Sequence, residues 1–75
     1  MTEIKIVDKQ KYLDDHYPFD NSPKLMEKME CVHCGKIIIV GDYKVFNHEI
    51  VGEIICCPNA PDCDGTIIDW VPLRD

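Results

Sequence analysis

Five cysteines in a chain of 75 residues constrain the fold more than any other feature of the sequence. Cys31 and Cys34 are separated by two residues and followed by Gly35, which places two thiolates on one tight turn. A second group, Cys56 or Cys57 together with Cys63, lies in a later turn. Two such turns can bring four thiolates around one metal ion. The spacing therefore predicts a tetrahedral, sulfur-rich metal site.

The length of the chain gives a metal site a clear role in folding. Domains of this size bury only roughly 60% of the surface of the unfolded chain, so many of them depend on a metal or disulfides. The odd number of cysteines and a charged N-terminal segment without an apolar core argue against a secreted disulfide framework. We expect a reducing, cytoplasmic compartment and reduced thiols. Because no stretch approaches about 20 apolar residues, we expect no contact with a membrane.

The pattern of β-branched residues predicts strands next to the cysteine turns. The main candidates are 36–40, 50–57 and 66–71, and a shorter extended run covers 43–46. The alternation in residues 1–7 is compatible with either an edge strand or a frayed terminus. These strands predict a three-stranded antiparallel sheet.

The first thirty residues are predicted to form an N-terminal arm with one short helix. Ser22 can cap the helix, Pro23 suits its first turn, and Leu25 with Met29 supplies an apolar stripe, so we place the helix at about 22–29. The aromatic run from 8 to 20 is predicted to be a loop or a short helical turn. The chain is thus expected to be one small α+β domain, residues 1–75, with an arm (1–30) and a metal-binding sheet (31–71).

The cysteine turns resemble those of a known class of zinc-finger domains. Residues 31–36 read CVHCGK and lead into a strand, which resembles the knuckle of zinc-ribbon and rubredoxin-like domains. Residues 57–65 read CPNAPDCDG and resemble a second knuckle, but five residues separate its cysteines instead of the usual two. The resemblance covers 31–71 and implies a zinc ribbon. The larger loop favours Zn²⁺ over iron, because iron-binding rubredoxins keep two tight turns.

Adjacent residues of a strand point to opposite faces, so only one of Cys56 and Cys57 is expected to reach the metal. Cys57 precedes Pro58, as knuckle cysteines often do in the domains this chain resembles, and we predict that Cys56 is a buried or reserve thiol. The predicted ligands are Cys31, Cys34, Cys57 and Cys63. Four other residues are weaker candidates: His16, His33, His48 and Asp62.

Charge and ligand number limit the function. The net charge is −6, and residues 31–75 contain only Lys36, Lys44 and Arg74 as basic residues, which disfavours binding to nucleic acid. Four thiolates leave no coordination position for water, so the zinc is predicted to be structural and the protein not to be an enzyme. We expect a protein-interaction or accessory module. The alternatives are an iron electron carrier and a zinc ribbon that binds nucleic acid.

The aromatic residues Tyr43, Phe46 and Trp70 allow three interpretations. One of them, stacking on single-stranded nucleic acid, ordinarily needs a basic groove, which the few basic residues of this half do not provide. The three side chains can fill the core beside the Ile and Val strands, which is the interpretation we prefer. Alternatively, they can form an exposed patch that docks a protein partner, because aromatic residues dominate the centres of interfaces.

Overall fold

The computed structural model describes residues 2–73 and contains two three-stranded antiparallel sheets and one short helix. In chain order the elements are β1 (Thr2–Ile4), α1 (Lys9–His16), β2 (Lys28–Cys31), β3 (Lys36–Ile39), β4 (Lys44–His48), β5 (Gly52–Cys56) and β6 (Trp70–Pro72). The first sheet has the order β1-β4-β5 and the second has the order β3-β2-β6. The residues beyond this range, 1, 74 and 75, belong to the predicted domain but lie outside the described part of the chain.

The prediction of one three-stranded sheet is therefore wrong in its architecture. β3 and β5 fall within the predicted strands 36–40 and 50–57, but they belong to different sheets. The predicted strand 66–71 is mostly a 3-10 turn over Ile67–Asp69, and only its end enters β6. Thr66 and Asp69 hold that turn by exchanging side chain to backbone hydrogen bonds, a local alternative that competes with strand formation.

The predicted helix over 22–29 is also wrong, because the helix lies earlier, at Lys9–His16. Asp8 caps it by accepting a hydrogen bond from the Lys11 N–H at 3.1 Å. The helix ends before Pro18, and Tyr17 already has the extended backbone expected of a residue that precedes proline. Within residues 2–73, no helix has the length and apolar character needed to cross a bilayer.

The core lies between the inner faces of both sheets and α1. Its most deeply buried side chains outside the cysteines are Leu13, Val40, Tyr43 and Val45, and Trp70 is only 3% exposed. Trp70 and Tyr43 are therefore core residues, with ring centroids 6.4 Å apart, while Phe46 is half-buried. The first thirty residues supply β1, α1 and most of β2, so each sheet combines strands from the predicted arm and the predicted ribbon.

Candidate metal centre

The first cysteine turn is the tip of the β2–β3 hairpin. Cys31 is the last residue of β2, and the Gly35 N–H donates to the Cys31 carbonyl at 2.7 Å. Gly35 has a φ of +74°, a conformation that glycine adopts without a steric cost. This tight turn places Cys34 beside Cys31 at the end of the second sheet.

The second cysteine turn follows β5, and its larger loop is internally hydrogen-bonded. The Ala60 N–H donates to the Cys57 carbonyl at 2.9 Å, and the Cys63 N–H donates to the Asn59 carbonyl at 3.1 Å. At the base of the loop, the Cys57 N–H donates to the Gly65 carbonyl at 3.1 Å. Two overlapping turns therefore accommodate the extra residues and keep Cys57 and Cys63 close together.

The two turns bring four sulfur atoms into one cluster. The Sγ atoms of Cys31, Cys34, Cys57 and Cys63 all lie within 4.8 Å of one another. The Sγ–Sγ distance is 3.7 Å between Cys31 and Cys63 and 4.0 Å between Cys34 and Cys57. A tetrahedral ion with bonds of about 2.3 Å to sulfur requires edges of roughly 3.8 Å, whereas a disulfide requires about 2.05 Å. Both separations are close to such an edge, and the four sulfurs could hold one metal ion.

Several N–H groups donate hydrogen bonds to the sulfurs. The Asn59 backbone N–H donates to Cys57 Sγ at 3.5 Å, and the Gly65 N–H donates to Cys63 Sγ at 3.3 Å. The Asn59 side-chain Nδ2 donates to Cys34 Sγ at 3.8 Å. Such donors stabilise negative charge on metal-bound thiolates. The role of Asn59 was not predicted, although its position two residues after a knuckle cysteine is the signal that could have identified it.

The thiols differ in how readily they lose a proton. The Lys36 backbone N–H lowers the pKa of Cys34 to about 7, whereas burial raises the pKa of Cys57 to about 12 and also raises the pKa of Cys63. A divalent cation reverses the effect of burial, because it stabilises the thiolates that bind to it. Metal binding should therefore release protons, and acid should weaken it.

The other candidate ligands lie outside the cluster. His33 and Asp62 are exposed. His16 stacks on Tyr12 with ring centroids 4.1 Å apart, and His48 Nδ1 accepts a hydrogen bond from the Ile50 N–H. Cys56 is buried, but its thiol donates to the Ile54 carbonyl at 3.7 Å and is not one of the four clustered sulfurs.

Gly65 leaves no room for a side chain beside the sulfurs. A Cβ atom there would lie 2.9 Å from Cys31 Sγ and 3.2 Å from Cys63 Sγ, and both cysteines are buried. We expect Gly65→Ala to displace a ligand and to weaken metal binding by at least about tenfold, the lower range for changes around metal ligands. Competition with a chromogenic chelator measures the affinity.

Gly52→Ala is the matched control for Gly65→Ala. Gly52 has a φ of +85° with open space around its Cβ position, so alanine strains the backbone away from the site. With Co²⁺ in the site, only Gly65→Ala should change the visible spectrum, which depends on ligand geometry. Equal affinities and unchanged spectra for both variants would show that Gly65 does not shape the site.

Comparisons with protein-family models, with curated proteins and with solved structures gave no match for this chain. The interpretation of the site therefore depends on its geometry and donor atoms. Four cysteine sulfurs close enough to hold one ion make the chain compatible with metal binding. Both zinc and iron accept four thiolates, so the donor set does not by itself identify the metal.

Proposed function

We propose that this protein binds one Zn²⁺ ion through Cys31, Cys34, Cys57 and Cys63, as a zinc-ribbon or rubredoxin-like domain does. The observation that carries the proposal is the cluster of four sulfurs, with separations of 3.7 and 4.0 Å close to the edges of a tetrahedral zinc site. Zinc is preferred to iron because the second turn is enlarged, and zinc has no geometric preference from its d electrons.

The proposed role of the zinc is structural. Three of the four cysteines are buried, and Cys34 is half-buried. Four thiolates complete the coordination of zinc and leave no position for a reactive water molecule. We therefore propose that the protein is not an enzyme and that its function depends on the surface that the metal stabilises.

Metal content tests the proposal directly. Native mass spectrometry and elemental analysis of protein produced with both metals available are expected to give one zinc per chain. The Cys56→Ser variant is the control and should retain the same zinc content, because Cys56 lies outside the cluster. A red protein whose visible absorption is lost on reduction would instead identify an iron centre and support the electron-transfer alternative.

We further propose a cytoplasmic accessory or protein-interaction module. The reduced state of the clustered cysteines supports this compartment, because reducing conditions keep thiols from forming disulfides. The net charge of −6 supports a protein partner over nucleic acid, because an acidic surface is repelled by phosphates. A titration with single- and double-stranded nucleic acid at low salt should show no binding. Tight binding that weakens steeply with salt would support the nucleic-acid alternative.

A further inference from the structure

The second sheet has one apolar face that nothing in the described chain covers. Alternate residues of its strands point inward, namely Met29, Cys31, Ile38 and Trp70, and all four are buried. The residues between them form the outer face: Lys28, Glu30, Ile37, Ile39 and Val71. Ile37 is 65% exposed and Ile39 is 45% exposed. Large aliphatic side chains on a regular sheet face indicate a surface that binds another molecule.

The outer face consists of two rows that run across the strands. In one row, Glu30 on β2 lies between Ile37 on β3 and Val71 on β6. In the other row, Lys28 lies beside Ile39, and the exposed Leu73 follows β6 on the opposite side. The first row therefore has a charged residue between two aliphatic residues, and the second has Lys28 beside Ile39, with Leu73 one residue beyond the last paired position of β6. The two central charges have opposite signs.

We propose that the outer face binds the outer face of a second copy of this chain. A two-fold axis that runs across the strands between the two rows places each row over the other row of the second copy. Lys28 then lies over Glu30 of the second copy, and Ile39 lies over Ile37 of the second copy. The same contacts form twice, as in any isologous interface. Sheets pack face to face at about 10 Å, a distance that these side chains can fill.

Charge complementarity favours a second copy over an unrelated partner. Lys28 and Glu30 lie in the middle of the apolar surface, and a partner without matching charges would leave both of them desolvated and unpaired. The face of a second copy supplies both matching charges without any further requirement. The charges of Lys28 and Glu30 also cancel within the face. The net charge of −6 on each copy therefore comes from groups outside the face, and only these more distant groups repel the second copy.

The size of the face indicates a weak, reversible dimer. Three short strands at a spacing of about 4.8 Å form a small surface. Its area is below the roughly 800 Å² per partner of a standard interface. We therefore expect dimerisation to depend on concentration. At physiological ionic strength, repulsion between the exposed charges of the two copies is screened beyond about 8 Å.

Charge reversal provides the test, performed on the metal-loaded protein by sedimentation equilibrium over a concentration series. Wild type is expected to dimerise, with methyl shifts of Ile37 and Ile39 in dilution spectra. Lys28→Glu and Glu30→Lys each place like charges opposite one another twice per dimer, so each should weaken dimerisation by at least about tenfold. An equal mixture of the two variants should restore it, because every Glu then faces a Lys.

Two controls change the net charge equally without touching the face. Lys11→Glu on α1 matches Lys28→Glu, and Glu49→Lys in the β4–β5 turn matches Glu30→Lys; both positions are exposed. These controls should dimerise as wild type does. A wild type that stays monomeric at the highest concentration would overturn the proposal. It would also be overturned by a dimer that the reversals weaken no more than the controls do, since pairing through the free edge of β3 would behave in that way.

Discussion

Removing the metal with a strong chelator is expected to unfold this protein cooperatively. Structural zinc contributes on the order of 10–16 kcal/mol in small metal-binding peptides, whereas the whole stability of a domain is about 5–15 kcal/mol. The free energy lost with the metal therefore exceeds the stability that the apolar core of a 75-residue chain can supply. The expected result is the loss of tertiary structure throughout the molecule and not only a local rearrangement at the cysteine turns.

The position of the site explains why its loss should affect both sheets. Cys31 and Cys34 belong to the β2–β3 hairpin of the second sheet, and Cys57 directly follows β5 of the first sheet. The backbone contacts between strands are concentrated within each sheet, and one shared core packs the two sheets together. A metal bound to all four sulfurs adds a direct link between the ends of the two sheets to this shared core. Without the metal, burial favours the protonated form of Cys57. A neutral thiol does not link the two sheets as a metal-bound thiolate would.

Trp70 reports this unfolding. It is the single tryptophan, it is 3% exposed, and it lies opposite Cys31 in the second sheet. Chelation should shift its emission to longer wavelength and abolish the cooperative thermal transition, and added zinc should restore both. Chelator already saturated with zinc is the control and should have no effect. A metal-free protein that keeps its buried tryptophan and melts cooperatively would show that the core alone maintains the fold.

The sequence was most informative about the site, because cysteine spacing is a local property. The spacing of Cys31 and Cys34 requires only one turn, and the alternation of a strand separates Cys57 from Cys56. The structure brings together the four cysteines that were predicted and leaves the fifth outside. Their binding of zinc stays a prediction. The contacts of Asn59 and Gly65 with the sulfurs depend on the folded path of the loop, which the spacing alone does not define.

The errors in the fold arose where distant contacts override local preferences. Ser22 and Pro23 are typical of a helix start, yet the Gln10 side chain bonds to the Pro23 carbonyl and the Leu25 N–H and holds this segment in a non-helical path. Met29 then pairs with both β3 and β6 as part of a central strand. No local pattern in the sequence indicates these partners. The helix at Lys9–His16 did have a local signal in the Asp8 cap, but Pro18 argued against a continuous helix over the longer segment.

The adjacent residues Cys56 and Cys57 allow the most direct test of the ligand assignment. Both are buried, and both are changed to serine, so the two variants share their chemistry and differ only in where the thiol lies. Cys57 Sγ lies 4.0 Å from Cys34 Sγ and accepts a hydrogen bond from Asn59, whereas the Cys56 thiol donates to the Ile54 carbonyl. Only Cys57→Ser removes a sulfur from the cluster.

We expect Cys57→Ser to lower zinc affinity by more than about 100-fold, because changes even outside the ligands cost 10–100-fold. Cys56→Ser should leave the affinity near that of wild type, since its thiol contributes only a weak hydrogen bond. Native mass spectrometry gives the metal-to-protein ratio, and competition with a chelator gives the affinity. Equal losses in the two variants would contradict the assignment. Full retention of zinc by Cys57→Ser would also contradict it if the variant with both cysteines changed to serine lost the zinc. Cys56 would then have reached the metal despite pointing to the other face of β5.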